Sequence, residues 1–511
     1  MIAAPQPILF RGVSVYDPAA EGAVAGPVDV LVRDRRIAAV GPTIAAPAEA
    51  RIVDGTGRLL MPGLVNAHFH SSVNHMKGRL PGLPLEIFML YESPALEVLA
   101  PTPREAYLRT LLGAIEMLKT GTTAVQDDCF LVPRPTPEII DAVCQAYADA
   151  GIRATVALDE PEVAELRKLP FLSDIVPEDI GKILSRPPAL QGPDLLKLYD
   201  HLITRWHGAM DGRIRAALSC SAPQRVTPAY FHALDELSRE HGLPLYAHML
   251  ETKLQRVFGH ERLGGRSLVR YVHDLGLLSD RLNVIHAIWV DNDDLDLLAA
   301  SGAVVAHNPV SNLRLGSGVM PFRAMRDRGI PICLGVDEAI TDDAVNMWSV
   351  IKTAGMIHNL TGSDYRRWPQ AKEILDCAIG GGARAMGLSG ELGAIAPGQL
   401  ADLILLDLET PAFTPLNDVS RQLVHCENGH SVRMTIVAGA IVAENGVVTS
   451  VNETAILAEA REVFAGRRAA LEAAAREMDR FLPYYDAMYE RAAAVDVGLM
   501  RRLDEPRART C

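Results

Sequence analysis

Short apolar runs alternate with longer amphipathic stretches through the middle of the chain, from about residue 61 to 392. The apolar runs are 63–68, 122–127, 153–158, 214–220, 244–249, 282–287, 303–307 and 331–337. Helix-like segments between them include 110–118, 229–240, 267–275, 294–300 and 322–328. This alternation predicts parallel strands with helical crossovers, and eight such units predict an α/β fold with a closed (β/α)8 TIM-like barrel. An open doubly wound sheet is the alternative, although no glycine-rich phosphate loop follows the first run.

Both ends of the chain show strand patterns of a different kind. Apolar and polar residues alternate in short segments that are bounded by turn residues. Near the start of the chain these segments are 7–17, 28–32 and 36–41, and near its end they are 401–407, 432–439 and 440–443. Neither set is large enough to form a stable sheet alone, so we expect the two ends to build one small β-sandwich domain. The predicted domains are therefore 1–60 and 393–450 for the β-sandwich, 61–392 for the barrel and 451–511 for a helical extension. Within the extension, helices are expected at 452–462 and 467–480, with Asn452 as an N-cap.

Histidine and aspartate residues stand where several of the predicted barrel strands end. His68 and His70 close the first run, and they share a face because side chains alternate along a strand. His248 ends the fifth run, His286 the sixth and Asp337 the eighth. Active residues of such barrels lie at the carboxyl ends of the strands, where these side chains would meet. The pattern therefore predicts a metal site.

Composition and charge narrow the range of partners and compartments. The chain has 511 residues, 49% of them hydrophobic, and a formal net charge of −13. A net negative charge argues against nucleic acid or an anionic membrane as a partner, since both require a cationic face. Seven cysteines at irregular spacings predict a reducing compartment, and no signal segment or long apolar span is found. We therefore expect a cytoplasmic protein.

Five motifs, taken in their order along the chain, resemble the amidohydrolase superfamily. They are 62–70 (PGLVNAHFH), 248–251 (HMLE), 286–289 (HAIW), 307–318 (HNPVSNLRLGSG) and 334–337 (LGVD), followed by 395–403 (IAPGQLADL). The pattern is most similar to the mononuclear branch that holds S-adenosylhomocysteine, guanine and cytosine deaminases and the triazine hydrolases. The resemblance covers roughly residues 5 to 450.

The resemblance implies a site with one divalent metal ion. Its ligands would be His68, His70, His248 and Asp337, with zinc expected and iron as the rival, because nitrogen and oxygen ligands suit both metals. The metal would lower the pKa of a bound water. Glu251 would carry protons between that water and the substrate, with Asp337 sharing this work, and His286 would orient the nucleophile or polarise the reacting carbon. Homodimers or higher homo-oligomers are also implied.

Some positions depart from the family pattern or have no clear role in it. The segment 218–224 carries no lysine, which favours one metal over two, and no histidine, which disfavours a purine nucleoside as substrate. Glu338 follows Asp337 where a small residue is usual, and its effect on the ligand stays open. Glu86, Glu92 and Glu97 follow the first strand, and any of them could contact substrate. His307, Asn308 and Asn312 are interpreted as loop architecture.

The residue pattern supports three functions to different degrees. The first is hydrolytic deamination of an amino-substituted N-heterocycle, a small-molecule substrate. The second keeps the same site but performs dechlorination, N-dealkylation or cyclic-amide opening. The third is a non-catalytic barrel that only binds a ligand, which would be insensitive to loss of the metal or of Glu251.

Overall fold

The computed structural model describes residues 5–18, 20 and 23–502. The strands are β1 Ile8–Tyr16, β2 Val24–Arg33, β3 Arg36–Gly41, β4 Arg51–Asp54, β5 Arg58–Pro62, β6 Leu64–Phe69, β7 Thr122–Cys129, β8 Arg153–Leu158, β9 Ile214–Ala216, β10 Leu218–Ser219, β11 Leu245–Met249, β12 Leu282–His286, β13 Val304–His307, β14 Ile332–Leu334, β15 Leu403–Asp407, β16 Val432–Val437, β17 Ala440–Glu444 and β18 Val447–Val448.

The α-helices lie mostly between the central strands and after the last one. They are α1 Leu85–Glu92, α2 Pro103–Lys119, α3 Pro137–Ala150, α4 Glu165–Lys168, α5 Leu172–Ile175, α6 Glu178–Leu184, α7 Gly192–Trp206, α8 Ala209–Gly212, α9 Pro228–His241, α10 Lys253–Arg262, α11 Leu268–Asp274, α12 Asn292–Ser301, α13 Pro309–Arg314, α14 Phe322–Asp327, α15 Met347–Ile357, α16 Ala371–Asp376, α17 Gly382–Ala385, α18 Val419–His425, α19 Glu453–Met478 and α20 Leu482–Ala493.

The central strands form two parallel sheets, with the orders β6-β7-β8-β9 and β10-β11-β12-β13-β14. Only Ala217 separates β9 from β10, and its N–H donates to Val156 O over 2.8 Å. At the other side, Phe69 and Asp337 form a parallel bridge just beyond β14. The N–H of His70 donates to Asp337 O over 2.8 Å, and the N–H of Asp337 donates to His68 O over 3.0 Å. The predicted α/β class with parallel strands is therefore confirmed, and hydrogen bonds connect the two sheets at both edges.

The parallel strands are buried on both faces. Every residue of β6, β7, β8 and β11 is buried, which explains why the sequence shows continuous apolar runs there rather than alternation. Helices pack around these strands and present one apolar face each. The N-terminus of α2 shows how such a helix begins, because the Thr102 side chain accepts from Glu105 N and the Glu105 carboxylate accepts from Thr102 N.

A nine-stranded sheet combines strands from both ends of the described chain, in the order β18-β17-β16-β15-β5-β1-β2-β3 with β4 beside β1. Its junction is the antiparallel pair of β5 and β15, in which Leu403 lies opposite Pro62. The N–H of Gly63 donates to Asp402 O over 2.9 Å at the point where the chain enters β6. Strands from both ends of the described chain therefore lie in one sheet.

Two helices follow the sheet, and the longer one differs from its prediction. The expected break between 462 and 467 is wrong, because α19 runs without interruption from Glu453 to Met478. Gly466 costs a helix about 1 kcal/mol relative to alanine, but the flanking Ala, Glu and Arg residues are strong helix formers that offset it. Asn452 is the N-cap, as expected, and its side chain accepts from Ala455 N. In the described part of the chain we find no helix suited to crossing a bilayer.

Candidate metal centre and active site

Five side chains from four strand ends converge at one edge of the parallel sheets. His68 lies in β6 and His70 follows it, His248 lies in β11, His286 ends β12, and Asp337 follows β14. The approach of β14 to β6 is close: a Cβ at Gly335 would lie 2.8 Å from His68 N. Glycine at that position therefore allows Asp337 to reach His68.

The backbone is strained at several of these strand ends. Ser221, Leu250, His286 and Asp337 have φ values of 59°, 55°, 73° and 73°. Positive φ is uncommon for residues other than glycine, and such conformations occur preferentially at functional sites. Here they turn the chain sharply after the strands, so that the side chains face one another.

Ring nitrogens and carboxylate oxygens of the cluster lie close to one another. His68 Nε2 lies 3.2 Å from His248 Nε2 and 3.0 Å from Asp337 Oδ1. His70 Nε2 lies 3.6 Å from Asp337 Oδ1. One group with ligand atoms within 4.8 Å of one another contains His68, His248, His286 and Asp337, and a second contains His70, Asp159 and His248. The five residues predicted at strand ends therefore fall into two groups that share His248, and Asp159 joins the second group.

Backbone carbonyls define the tautomers of two of the rings. His248 Nδ1 lies 2.7 Å from Ser221 O, and His70 Nδ1 makes a short hydrogen bond with Asp128 O. A carbonyl can only accept, so Nδ1 carries the proton in both rings and Nε2 keeps its lone pair. Metal-binding histidines are commonly oriented by this arrangement.

Burial controls the protonation of the cluster. It lowers the pKa of His68, and it lowers that of His248 further together with the neighbouring His68 and His70 rings. Both rings are therefore neutral at pH 7, which is the form that binds metal. Burial acts to raise the pKa of Asp337, but His286 and His68 outweigh it and the pKa lies well below its ordinary value. Asp337 is thus ionised.

Glu251 and His286 face each other beside this cluster. His286 Nε2 lies 3.3 Å from Glu251 Oε2 and 4.0 Å from Asp337 Oδ2. The Asn312 amide nitrogen lies 2.9 Å from His286 Nδ1, so Nδ1 accepts and Nε2 carries the ring proton. Burial lowers the pKa of His286 to about 3. Burial, then Asp337 and Glu86, raise the pKa of Glu251 well above its ordinary value, so this carboxyl group holds its proton more tightly than a surface glutamate.

The acids after the first strand differ in their surroundings. Glu86 and Glu92 are 6% and 7% exposed, whereas the Glu97 side chain is 68% exposed and pairs with Arg134. Burial raises the pKa of Glu92 to about 7. Glu92 also shares a side-chain hydrogen bond with Glu338. The sequence assigned no specific role to these three acids. The structure shows that Glu86 and Glu92 are buried, whereas Glu97 lies at the surface.

A cavity of about 680 Å³ opens over the cluster. Its inner wall includes His70, His248, Glu251, His286 and Asp337. Side chains from the end of α19, from the segment after it and from α20 close one side, and these are Met478, Phe481 and Tyr485. The C-terminal helices therefore contribute to the pocket and not only to the outer surface.

Sequence reasoning missed several residues of this site. Asp159 follows β8, and its position at a strand end was a usable signal that went unread. Asn312 was interpreted as loop architecture but contacts His286. Arg225 lines the cavity from the segment after β10, and it carries no sequence signal, because its position depends on how the loop folds.

Comparisons with known proteins agree with this architecture. The sequence model of the Amidohydrolase family matches residues 59–442. A 5-methylthioadenosine/S-adenosylhomocysteine deaminase of Nitratidesulfovibrio vulgaris is 35% identical over 463 residues, which cover 90% of this chain and 97% of the relative. A 5'-deoxyadenosine deaminase of Methanosarcina mazei is 29% identical, over 85% of this chain and 92% of its own.

The chain belongs to the amidohydrolase family. Among solved structures, an adenosine deaminase from Xanthomonas campestris with bound zinc superposes with a TM-score of 0.78 at 27% identity, covering 91% of this amidohydrolase and 98% of that chain. An atrazine chlorohydrolase from Arthrobacter aurescens with zinc has a TM-score of 0.78 at 24% identity, covering 89% and 100% of the two chains, and shares the fold. The predicted reaction class, a metal-dependent hydrolytic deaminase acting on carbon–nitrogen bonds other than peptide bonds, is confirmed.

The donor set of this amidohydrolase suits a divalent metal ion. Without one, the proton on His68 Nε2 must serve both Asp337 Oδ1 at 3.0 Å and His248 Nε2 at 3.2 Å. A cation bound between His68 Nε2, His248 Nε2 and Asp337 Oδ1 would accept a lone pair from each of these three atoms. Three imidazoles and a carboxylate are ligands that zinc prefers when one position is left for water.

Proposed function

We propose that this amidohydrolase releases ammonia from an amino-substituted N-heterocycle, with zinc held by His68, His70, His248 and Asp337. One observation carries the proposal: the buried Glu251 carboxyl lies 3.3 Å from His286 Nε2 at the edge of the imidazole cluster. A proton carrier and a ring N–H donor thus stand beside the same candidate metal position. We assign His286 to substrate rather than metal, because its ring proton lies on Nε2, the nitrogen that faces the cluster.

Glu251, His286 and Asp337 each have a separate task in the reaction. When bound, a divalent metal ion supplies Lewis acidity that lowers the pKa of water and makes hydroxide available at neutral pH. Glu251 accepts the proton of the attacking water and delivers it to a ring nitrogen or to the leaving amine. His286 Nε2–H donates to the oxygen as charge develops there. Asp337 is ionised when the reaction begins; it takes the second proton from the attacking oxygen and passes it to the leaving amine, which departs as ammonia.

The proposal includes the finer architecture. The hydrogen bonds at Ala217 and Asp337 support closure of the parallel strands into an eight-stranded barrel, since they connect both pairs of sheet edges. The division into a barrel at 61–392, a β-sandwich from 1–60 and 393–450, and a helical extension at 451–511 is proposed with it. Assembly as a homodimer or larger homo-oligomer, and a cytoplasmic location, remain proposals that follow from the family and the composition.

Relatives named as adenosine-type deaminases favour deamination over dechlorination. The similarity to the atrazine chlorohydrolase, at 24% identity, is evidence for a shared fold and not for a shared reaction. Adenine derivatives are the first substrates to test, although the segment after β10 lacks the histidine that the family pattern contains. Released ammonia, rather than chloride or alkylamine, is the expected product in every case.

Two substitutions test the proposal together. Glu251→Gln should retain the metal and lose ammonia release by at least ~10²-fold, because an amide cannot carry the proton. His248→Ala should lose metal and activity together, since it removes a ligand. Metal content by atomic emission and ammonia release by a coupled assay measure the two effects.

An exposed glutamate provides the control. Glu178→Gln lies on α6, where the Glu178 side chain is 84% exposed, and both readouts should equal those of the unaltered protein. Full turnover in the Glu251→Gln protein would refute the mechanism. Loss of activity in the unaltered protein after chelation, with recovery on adding zinc, is also expected, and activity without any metal would refute the metal assignment.

A further inference from the structure

The segment after α20, residues 494–502, lies against two loops of the candidate active site. It stands beyond residue 442, where the match to the family model ends. Arg501 Nε donates to Ile288 O over 2.8 Å, and Arg501 Nη2 donates to Val290 O over 2.6 Å. Among the described residues, neither carbonyl accepts a backbone N–H. The guanidinium presents its N–H groups as a planar fork, so that one side chain reaches both carbonyls.

The first of the two loops, residues 287–290, connects His286 with the residue before Glu251. Two of its N–H groups donate to Leu250 O, over 3.0 Å and 2.8 Å. Leu250 and His286 have positive φ values of 55° and 73°. A strained backbone of this kind persists only where the surrounding contacts fix it. Arg501 supplies two such contacts on the carbonyl side of the loop.

The second loop, residues 317–319, contacts Glu251 directly. Ser317 Oγ donates to Glu251 Oε1 over 3.3 Å. At the other end of this loop, the N–H of Val319 donates to Arg501 O over 2.9 Å. Arg501 is therefore bound to both loops, to one through its side chain and to the other through its backbone.

Gly318 shows how closely the C-terminal segment approaches. Its φ is 122°, and a Cβ at this position would lie 2.9 Å from Arg501 O. Glycine permits both the backbone conformation and the close approach. The two loops also contact each other, because Trp289 Nε1 donates to Ser317 O over 2.8 Å. The C-terminal segment and the two loops thus form one closed set of contacts around Glu251.

Resting on the proposed deamination, we infer that Arg501 is a positioning residue for Glu251 and His286. It fastens loop 287–290 to loop 317–319 and so holds the Glu251 carboxyl 3.3 Å from His286 Nε2. Arg501 does not belong to the cavity lining. Its loss should therefore affect turnover more than substrate binding.

Arg501→Met tests the inference, because it removes the N–H donors and keeps a long unbranched side chain. In the metal-loaded protein, kcat should fall about 10–100-fold while KM changes less than about 3-fold, since a misplaced proton carrier slows the reaction without altering the pocket. Metal content should be unchanged. The assay measures ammonia release from 5'-methylthioadenosine, adenosine or adenine, whichever the unaltered protein deaminates fastest.

Arg491→Met is the matched control on α20. The Arg491 side chain is 50% exposed and lies 3.6 Å from Asp174 on α5, so kcat should equal that of the unaltered protein. Added guanidinium should restore kcat of Arg501→Ala at least about 5-fold, because it returns the planar set of donors, and it should not raise kcat of the Arg491→Met protein. Failure of this rescue, together with a normal kcat for Arg501→Met, would overturn the inference.

Hydrogen exchange measures the positioning without turnover. In the metal-loaded Arg501→Met protein, the amides of residues 288, 289 and 319 should exchange at least about 10-fold faster, because the loops open locally, while the parallel strands exchange as before. Faster exchange across the whole chain with loss of metal would overturn the inference, since Arg501 would then act on folding in general. Faster exchange confined to the two loops, in a protein that releases no ammonia from any of the three compounds, would refute the deaminase proposal alone.

Discussion

Glu160 is a buried acid whose protonation should affect stability. It is 8% exposed, its Oε1 accepts from Leu131 N over 2.8 Å, and burial raises its pKa from 4.5 to about 8. The folded protein therefore holds a proton that the unfolded chain releases between these pH values. The contribution of Glu160 is fully present below pH 4.5 and is lost as pH rises through about 8.

Glu160→Gln should remove this dependence, because an amide accepts from Leu131 N at any pH but does not titrate. The metal-free variant should lose less stability than the unaltered protein between pH 5 and pH 9, by on the order of a few kcal/mol. Urea unfolding of both proteins at pH 5 and at pH 9 measures this difference in stability. An identical pH slope in both proteins would contradict the prediction.

Asn312 positions the His286 ring through its contact with Nδ1. Asn312→Ala should reduce kcat by about 10–100-fold without changing metal content, because the ring loses the nearer of its two amide partners and keeps only Asn308, whose nitrogen lies 3.3 Å from Nδ1. Ser311→Ala on the same helix is the control, since the buried Ser311 hydroxyl has no partner among the described residues. Unchanged kcat for Asn312→Ala would show that the amide has no positioning role.

The sequence alone predicted the residues whose signal is local. His68, His70, His248, His286 and Asp337 stand at the ends of apolar runs, and the rule that barrel sites lie at strand ends was enough to group them. Arg225 could not be found in this way, because its place in the cavity depends on the path of the segment after β10. The hydrogen bond of Glu92 with Glu338 joins residues 246 positions apart in the sequence, and a single sequence carries no signal for such a pair.

At the level of elements, strands were predicted more accurately than helix boundaries. The run 153–158 coincides with β8, whereas 214–220 is divided into β9 and β10 at Ala217. Buried parallel strands are recognisable because both faces are apolar. The continuous α19 was harder, since a glycine inside an otherwise strong helical sequence does not by itself decide where a helix ends.

A buried ion pair fastens the nine-stranded sheet to β8. Arg153 Nε lies 2.6 Å from Asp402 Oδ2, and their side chains are 4% and 0% exposed. Asp402 Oδ1 also accepts from Ala438 N over 2.7 Å. The nine-stranded sheet and β8 are therefore connected through the Asp402 carboxylate.

Arg153→Met should reduce the free energy of unfolding by about 3–5 kcal/mol, because it leaves Asp402 buried without a counter-ion. The double variant Arg153→Met/Asp402→Asn should recover part of that loss. Urea unfolding at pH 7 of the two variants measures the effect. A cost below 1 kcal/mol for Arg153→Met would show that the pair does not join the two elements.

Across the whole molecule, the C-terminal helices complete the cavity in addition to packing on it. Phe481 is 4% exposed and lies on the cavity wall, 147 residues after Leu334 at the end of β14. Phe481→Leu should raise KM about 10-fold with metal content unchanged, since an aromatic contact is worth roughly 1.5 kcal/mol. Phe464→Leu, on α19 and outside the cavity lining, is the control. A KM equal to that of the unaltered protein would place the substrate away from these helices.

The pairing of β5 with β15 has a consequence for biosynthesis. Met61 lies opposite Ile404 in the register, so the N-terminal strands leave the ribosome long before their neighbour exists. At 5–20 residues per second, the delay is roughly 20–70 s. During that interval the edge of β5 offers unpaired backbone groups to any passing chain, which makes nascent amidohydrolase a candidate for chaperone protection until translation has passed β15.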